Sequence, residues 1–323
     1  MTPLLDVRAL TVELPTPAGA LRPVNGASFQ IAAGEAVGLV GESGSGKTML
    51  GLALVGLVPA GARESGQALL APRDAGEPVN LVACGERALQ RIRGREIGMI
   101  FQEPMTALNP VMRVGAQVTE AIRAHPPRPS ARRARELAIE ALDRAAIPEP
   151  RRRARQFPHQ LSGGLRQRAM IAMALAAGPR LLVADEPTTA LDVTVASQIV
   201  ELLGKLRRES SLALLFISHD LAVVSQLADR LLVMYAGRIV EQGPARDAIE
   251  HPAHPYTEAL LASLPRPGVP MSPIPGGVPR LDALPPGCPF EPRCRYRRPE
   301  CALEMPQPRR AGPDHFSRCI LVP

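Results

Sequence analysis

The sequence predicts an α/β fold. It has a parallel-sheet core, a helical stretch and a proline- and cysteine-rich C-terminal extension. Three observations predict it. A glycine-rich loop joins an apolar strand, Ala36 to Val40, to a helix that opens at Lys47. From Leu181 to Leu227 apolar runs alternate with helical stretches, the pattern of a parallel sheet covered on both faces. From Val114 to Gln156 the pattern turns helical.

In chain order, Leu4 to Leu14, Ala27 to Ala32 and Ala36 to Val40 read as strands, punctuated by Gly19, Pro23 and Gly34. Lys47 to Leu57 reads as a helix, residues 67–82 as two short strands, and Ile97 to Gln102 as a buried strand. Ala131 to Ala146 is amphipathic, with Leu137, Ala138, Ala141 and Leu142 on one side and arginines on the other. Gly163 to Ala177 is a further helix. Strand Leu181 to Ala184, helix Val193 to Glu209, strand Leu212 to Ile217 and helix Leu221 to Leu227 follow. Arg230 to Tyr235 and Arg238 to Glu241 form a hairpin around Ala236-Gly237. Beyond residue 264 proline is dense and aliphatic runs are too few to pack a core alone.

Composition narrows the function. Of 323 residues, 46% are hydrophobic, so the chain is globular. Apolar runs such as Leu50 to Ala62 are broken by Gly51, Gly56, Pro59 and Gly61 and fall short of the roughly 18–20 residues a membrane span needs. Met1 to Leu10 lacks the layout of a secretory signal. A cytosolic protein without its own membrane span is expected. The net charge of +7 raises nucleic acid as a partner. However, the arginines are scattered or in runs such as Arg151-Arg152-Arg153, and aromatics that could stack on bases make up only 3%, so none is expected.

Gly41-Glu42-Ser43-Gly44-Ser45-Gly46-Lys47-Thr48 is a phosphate-binding loop in its proper setting, after a strand and before a helix. Its backbone amides and the helix N-terminus wrap the phosphates of ATP, Lys47 reaches the β- and γ-phosphates, and Thr48 offers a hydroxyl to Mg²⁺. Leu181 to Asp185-Glu186 is an apolar strand ending in two carboxylates. Asp185 suits the magnesium and Glu186 suits the attacking water as general base. Ser162-Gly163-Gly164 reads as a helix start with an N-cap, or as a second phosphate site. One ATP does not easily use two such sites in one chain, whereas two chains facing each other could share it.

Together with His219 after its strand, these segments resemble the ATP-binding cassette family in order and spacing over residues 4 to about 250. The resemblance implies a P-loop NTPase cassette at 1–250, with a parallel-sheet core, an antiparallel β subdomain and a helical subdomain at about 103–178, and an extension at 251–323. It makes Gln102 a ligand of metal and water, His219 the residue that touches the γ-phosphate and orients Glu186, and Asp192 part of the loop Ala190-Leu191-Asp192. Two cassettes would meet head to tail, each ATP lying between one chain's loop and the other's Ser162-Gly163-Gly164.

Phe101 to Pro110, Asp185 to Thr194, His254-Pro255-Tyr256-Thr257 and Gly287-Cys288-Pro289-Phe290 resemble the dipeptide, oligopeptide and nickel importer branch. That implies peripheral attachment at the cytoplasmic face of the inner membrane. It also implies two integral permease subunits fed by an extracytoplasmic substrate-binding protein. Peptides are the expected cargo, with nickel or another small solute as the alternative. A soluble, non-transport cassette ATPase is the alternative of a different class. Leu165 stands where most cassettes carry Gln, which points to a heterodimer with a second ATPase subunit. No aromatic lies between Val12 and Val24 to stack on adenine, leaving Leu14 or Val24 to pack on the base.

Cys84 stands alone and reads as an ordinary small side chain. Cys288, Cys294, Cys301 and Cys319 cluster near the C-terminus, and a cytosolic setting argues against disulfides. Their spacing matches neither the usual zinc nor the usual ferredoxin pattern and says only that four thiols form a site. The resemblance implies a [4Fe–4S] cluster there.

Overall fold

The computed structural model describes the chain apart from residues 1, 18, 75, 104–106, 190 and 265–272. Pro104, Met105, Thr106 and Ala190, all in the segments that carry the resemblance, therefore lie outside the described residues. In chain order the elements are β1 (Leu5–Thr16), β2 (Gly19–Ile31), β3 (Ala36–Val40), α1 (Lys47–Leu54), β4 (Arg63–Leu70), β5 (Val79–Asn80) and α2 (Glu86–Ile92). Next come β6 (Ile97–Ile100), α3 (Val114–Arg123), α4 (Ala131–Arg144), α5 (Pro150–Arg153), α6 (Gly163–Leu175), β7 (Leu181–Asp185), α7 (Val193–Ser210) and β8 (Ala213–Ser218). The chain ends with α8 (Leu221–Ser225), β9 (Arg230–Tyr235), β10 (Arg238–Pro244), α9 (Ala245–Glu250), α10 (Pro255–Ala262), β11 (Arg309–Gly312) and β12 (His315–Ser317).

The chain forms two compact units. The first comprises residues 1–32, 36–83 and 217–323. It contains an antiparallel sheet in the order β2-β1-β4-β5. Pro23, a breaker by composition, sits inside β2, where pairing with β1 shifts register on both sides of Val12↔Val24. Such irregularities accommodate a residue that cannot donate to the ladder. This unit also holds strands in the order β11-β12-β10-β9-β3. β3 pairs parallel with β9, and β9 turns through Ala236-Gly237 into antiparallel β10. The C-terminal region joins this sheet directly, with Glu241 opposite Ser317 and Gln242 opposite Phe316.

The second unit comprises residues 33–35 and 84–216. β6 and β7 pair in parallel, and every residue of β7 is buried. Beside them lies a helical core built from Val114 and Val118 of α3, Ala138 and Leu142 of α4, and Ala169 and Ala172 of α6. Ser130 is the N-cap of α4, its hydroxyl accepting the Arg133 amide at 3.2 Å. Among the described residues no helix is long and apolar enough to cross a membrane.

Candidate functional site

The glycine-rich loop lies in the first unit, between β3 and α1. Gly46 adopts φ 103°, and a Cβ there would lie 1.8 Å from the Pro23 carbonyl oxygen. A Cβ at Gly41 would lie 2.1 Å from the Met234 carbonyl oxygen. Only glycine fits at either position, so the loop is pressed against neighbouring backbone and left as a cradle of bare amides. Lys47 is 5% exposed, and its ammonium donates to the carbonyls of Gly41 at 2.8 Å and Glu42 at 2.9 Å. Ser45 and Gly237 are tied through the Gly237 amide and the Ser45 carbonyl at 2.9 Å.

The entrance to the loop is held from the C-terminal region. The Glu42 amide donates to the Tyr256 hydroxyl at 2.7 Å. The Glu42 carboxylate takes a two-pronged ion pair from Arg293, at 2.7 and 3.0 Å. Tyr235, Tyr256 and Phe290 pack ring against ring around that guanidinium. Burial pulls the Arg293 pKa down, but the Glu42 and Tyr235 hydrogen bonds outweigh it and hold the guanidinium above its ordinary value. Sequence reasoning missed Tyr256 and Arg293 as partners of this loop because they lie more than 200 positions away.

His219, also in this unit, is exposed in the bend after β8. Asp220 next to it caps α8, accepting the amides of Ala222 and Val223. Val24 is fully buried, which removes it as a surface for a base, while Leu14 keeps partial exposure.

The second unit carries the acidic strand end. Asp185 closes β7 and is 2% exposed. Glu186 follows with φ 45°, a left-handed conformation that a non-glycine residue rarely takes. Its carboxylate accepts the Gln102 side-chain amide at 3.2 Å and the Thr189 hydroxyl at 2.8 Å. The Thr189 amide donates to the Glu186 carbonyl at 3.1 Å, closing the turn that aims the acid. Gln102 and Glu186 are 84 positions apart and were both predicted. Thr189 was not; a hydroxyl three residues after the acid was its signal.

Ser162 is the N-cap of α6, its hydroxyl accepting the Leu165 amide at 3.4 Å. Ser162 and Gly163 are exposed, so the helix N-terminus is open to solvent. Asp192 caps α7 in the same way through the Val195 amide at 2.9 Å.

The iron–sulfur expectation is corrected. Among the described residues no group of three or more His, Cys, Asp or Glu side chains could hold a metal ion. Cys288, Cys294, Cys301 and Cys319 are free thiols lining a small apolar cavity with Phe290 and Leu321. Cluster and zinc ligands are thiolates. Burial pushes the Cys288 thiol up to about 11 and raises Cys294 and Cys319, which favours the protonated form.

The sequence profile described as ABC transporter matches residues 24–189. That of the oligopeptide/dipeptide transporter C-terminal region matches residues 240–301. A Brucella melitensis protein provisionally described as a peptide import ATP-binding protein is 48% identical over 98% of this chain and 97% of its own length. The oligopeptide transport ATP-binding protein OppD of Escherichia coli is 48% identical over 94% of this chain and 89% of its own. Among solved structures, the ATP-binding cassette MJ0796, a dimer in a post-hydrolysis state with ADP and phosphate, superposes with a TM-score of 0.66 at 27% identity. The match covers 75% of this chain and 99% of that one.

Proposed function

The chain belongs to the ABC transporter family, in the oligopeptide and dipeptide import branch, and from that membership we propose how its residues bind ATP, hydrolyse it and drive import. It is the ATP-binding and ATP-hydrolysing subunit of a peptide-import transporter on the cassette fold. In this reading residues 1–250 form the ATPase domain, with its helical subdomain at about 103–178, and residues 251–323 the extension.

The loop from Gly41 to Thr48 takes the phosphates. Its fit rests on the two glycines where a Cβ would strike backbone, and on the Lys47 ammonium, which trades loop carbonyls for phosphate oxygens. Thr48, Asp185 and Gln102 supply the oxygen donors a hard divalent cation prefers. Magnesium, when bound, neutralises charge developing on the phosphates.

Glu186 is the general base, and the observation that carries this role is its conformation. A carboxylate held at φ 45° between two side-chain donors is strained and fixed in direction, as a group that must meet one water molecule is. His219 faces the γ-phosphate. Ser162, Gly163 and Gly164 complete the site of a second cassette, whose helix N-terminus favours negative charge. Cassettes of this family dimerise; here the partner is a second, different ATPase subunit, as Leu165 suggests. Two permease subunits hold the pair at the cytoplasmic face of the membrane, and an extracytoplasmic binding protein delivers peptide to them.

Glu186→Gln removes the base while keeping shape. Turnover should fall at least 100-fold, the usual worth of general base catalysis, while ATP binding persists and a closed dimer accumulates by size-exclusion chromatography. Wild-type turnover in that variant would refute the role.

A further inference from the structure

We infer that Arg293 of the C-terminal region is a positioning residue for ATP binding, bracing the phosphate loop through Glu42. This rests on the nucleotide reading above and goes beyond it by giving the extension a share in the site.

Glu42 is the second residue of the loop, yet its side chain turns toward the C-terminal region. Arg293 grips both carboxylate oxygens, at 2.7 and 3.0 Å. The Arg293 side chain is 5% exposed and that of Glu42 25%, so water competes little for the pair. The rest of the guanidinium is satisfied too. Nε donates to the Pro275 carbonyl at 2.8 Å and Nη1 to the Tyr235 hydroxyl at 3.1 Å. Tyr256 completes the hold by accepting the Glu42 amide. Thus the backbone at the loop's start and its side chain are both pinned by residues beyond 250. A guanidinium fork fixes direction as well as distance, which an ammonium does not.

The consequence is preorganisation. The loop binds phosphate through backbone amides that must converge before ligand arrives. With the brace gone the loop samples other shapes, and only the competent fraction binds. Lost binding of this kind raises KM and leaves kcat near its former value, because chemistry at Glu186 is untouched.

The test uses the full chain assembled with its partner subunits. Mg-ATP binding and steady-state hydrolysis are compared for wild type, Glu42→Gln, Arg293→Lys and the double variant Glu42→Gln/Arg293→Lys, with thermal melting as a check on folding. Glu42→Gln keeps size and an acceptor oxygen, so it preserves the fold even where changes at Arg293 do not. Each single variant should raise KM for ATP at least fivefold, the lower end of ordinary coupling between sites, with kcat within about twofold. The double variant should be no worse than the poorer single one.

Coupling is reciprocal, so Mg-ATP should slow tryptic cleavage after Arg297, an exposed residue of the same region, in wild type but not in Glu42→Gln. A wild type that binds no Mg-ATP overturns the nucleotide reading itself. Binding that is intact in wild type and equal in folded Glu42→Gln overturns the brace alone.

Discussion

Glu186 shows how one residue carries both cost and purpose. A left-handed backbone at a non-glycine costs of order 1–3 kcal/mol and persists only where its surroundings insist on it. Here Gln102 and Thr189 hold the acid from the side-chain end and the Thr189 amide from the backbone end. Gly46 is the opposite case, a residue chosen for what it lacks. Gly46→Ala places a methyl group 1.8 Å from the Pro23 oxygen at a φ of 103°, so the loop must move. Equilibrium binding should show Mg-ATP affinity falling more than about tenfold (about 1.4 kcal/mol), and the melting temperature should drop. An alanine variant with native affinity would mean that the cradle is not where phosphate sits.

Among the elements, the start of α10 depends on pH through one buried histidine. His254 is its N-cap, accepting the Tyr256 amide at 3.0 Å through Nδ1, which requires a neutral ring with a lone pair there. Burial lowers its pKa from 6.5 to about 4, partly opposed by the Glu241 carboxylate. Glu241 also accepts the amides of Ala253 and His254 and contacts the His315 ring at 2.7 Å. Unfolding frees His254 to bind a proton, so the unfolded state gains protons first as pH falls. The stabilisation is full above about pH 6.5 and is lost between there and about pH 4. Urea midpoints of wild type and His254→Asn, which keeps a capping oxygen, should differ in slope across that window and run parallel above it. Parallel curves throughout would remove His254 as the cause.

The element scale also marks where the sequence was legible. Apolar runs such as Leu181 to Ala184 announce themselves within a few residues, because burial on both faces demands continuous aliphatic residues, and the glycine loop is as local a signal. α4 stops at Arg144, close to its predicted end, because its amphipathic pattern is local. β2 starts at Gly19, well before the predicted Ala27, because irregular pairing absorbs Pro23. β11 and β12 gave no signal: they are four and three residues long, and β12 finds β10 more than 70 positions upstream. The cysteines were legible as a group but not as a chemistry, since spacing says nothing about whether burial leaves a thiol protonated.

For the whole molecule, half of each hydrolysis site is expected on another chain. Ser162 and Gly163 stand at an exposed helix start, and the related cassette MJ0796 is a dimer with ADP and phosphate. The isolated chain should bind ATP but turn it over slowly. Activity per chain should rise steeply as the partner ATPase is titrated in, and Ser162→Arg should abolish that rise while leaving ATP binding by its own loop intact. Activity per chain that is independent of partner concentration would place the complete site within one chain.

The ion pair between Glu42 and Arg293 spans 251 positions of a 323-residue chain. A ribosome adding roughly 5–20 residues per second releases the two halves of that contact many seconds apart. Throughout that interval the phosphate loop exists without its clasp. A message cut short before codon 293 therefore yields a loop without that ion pair, and by the inference above such a product should need more Mg-ATP to reach the same occupancy.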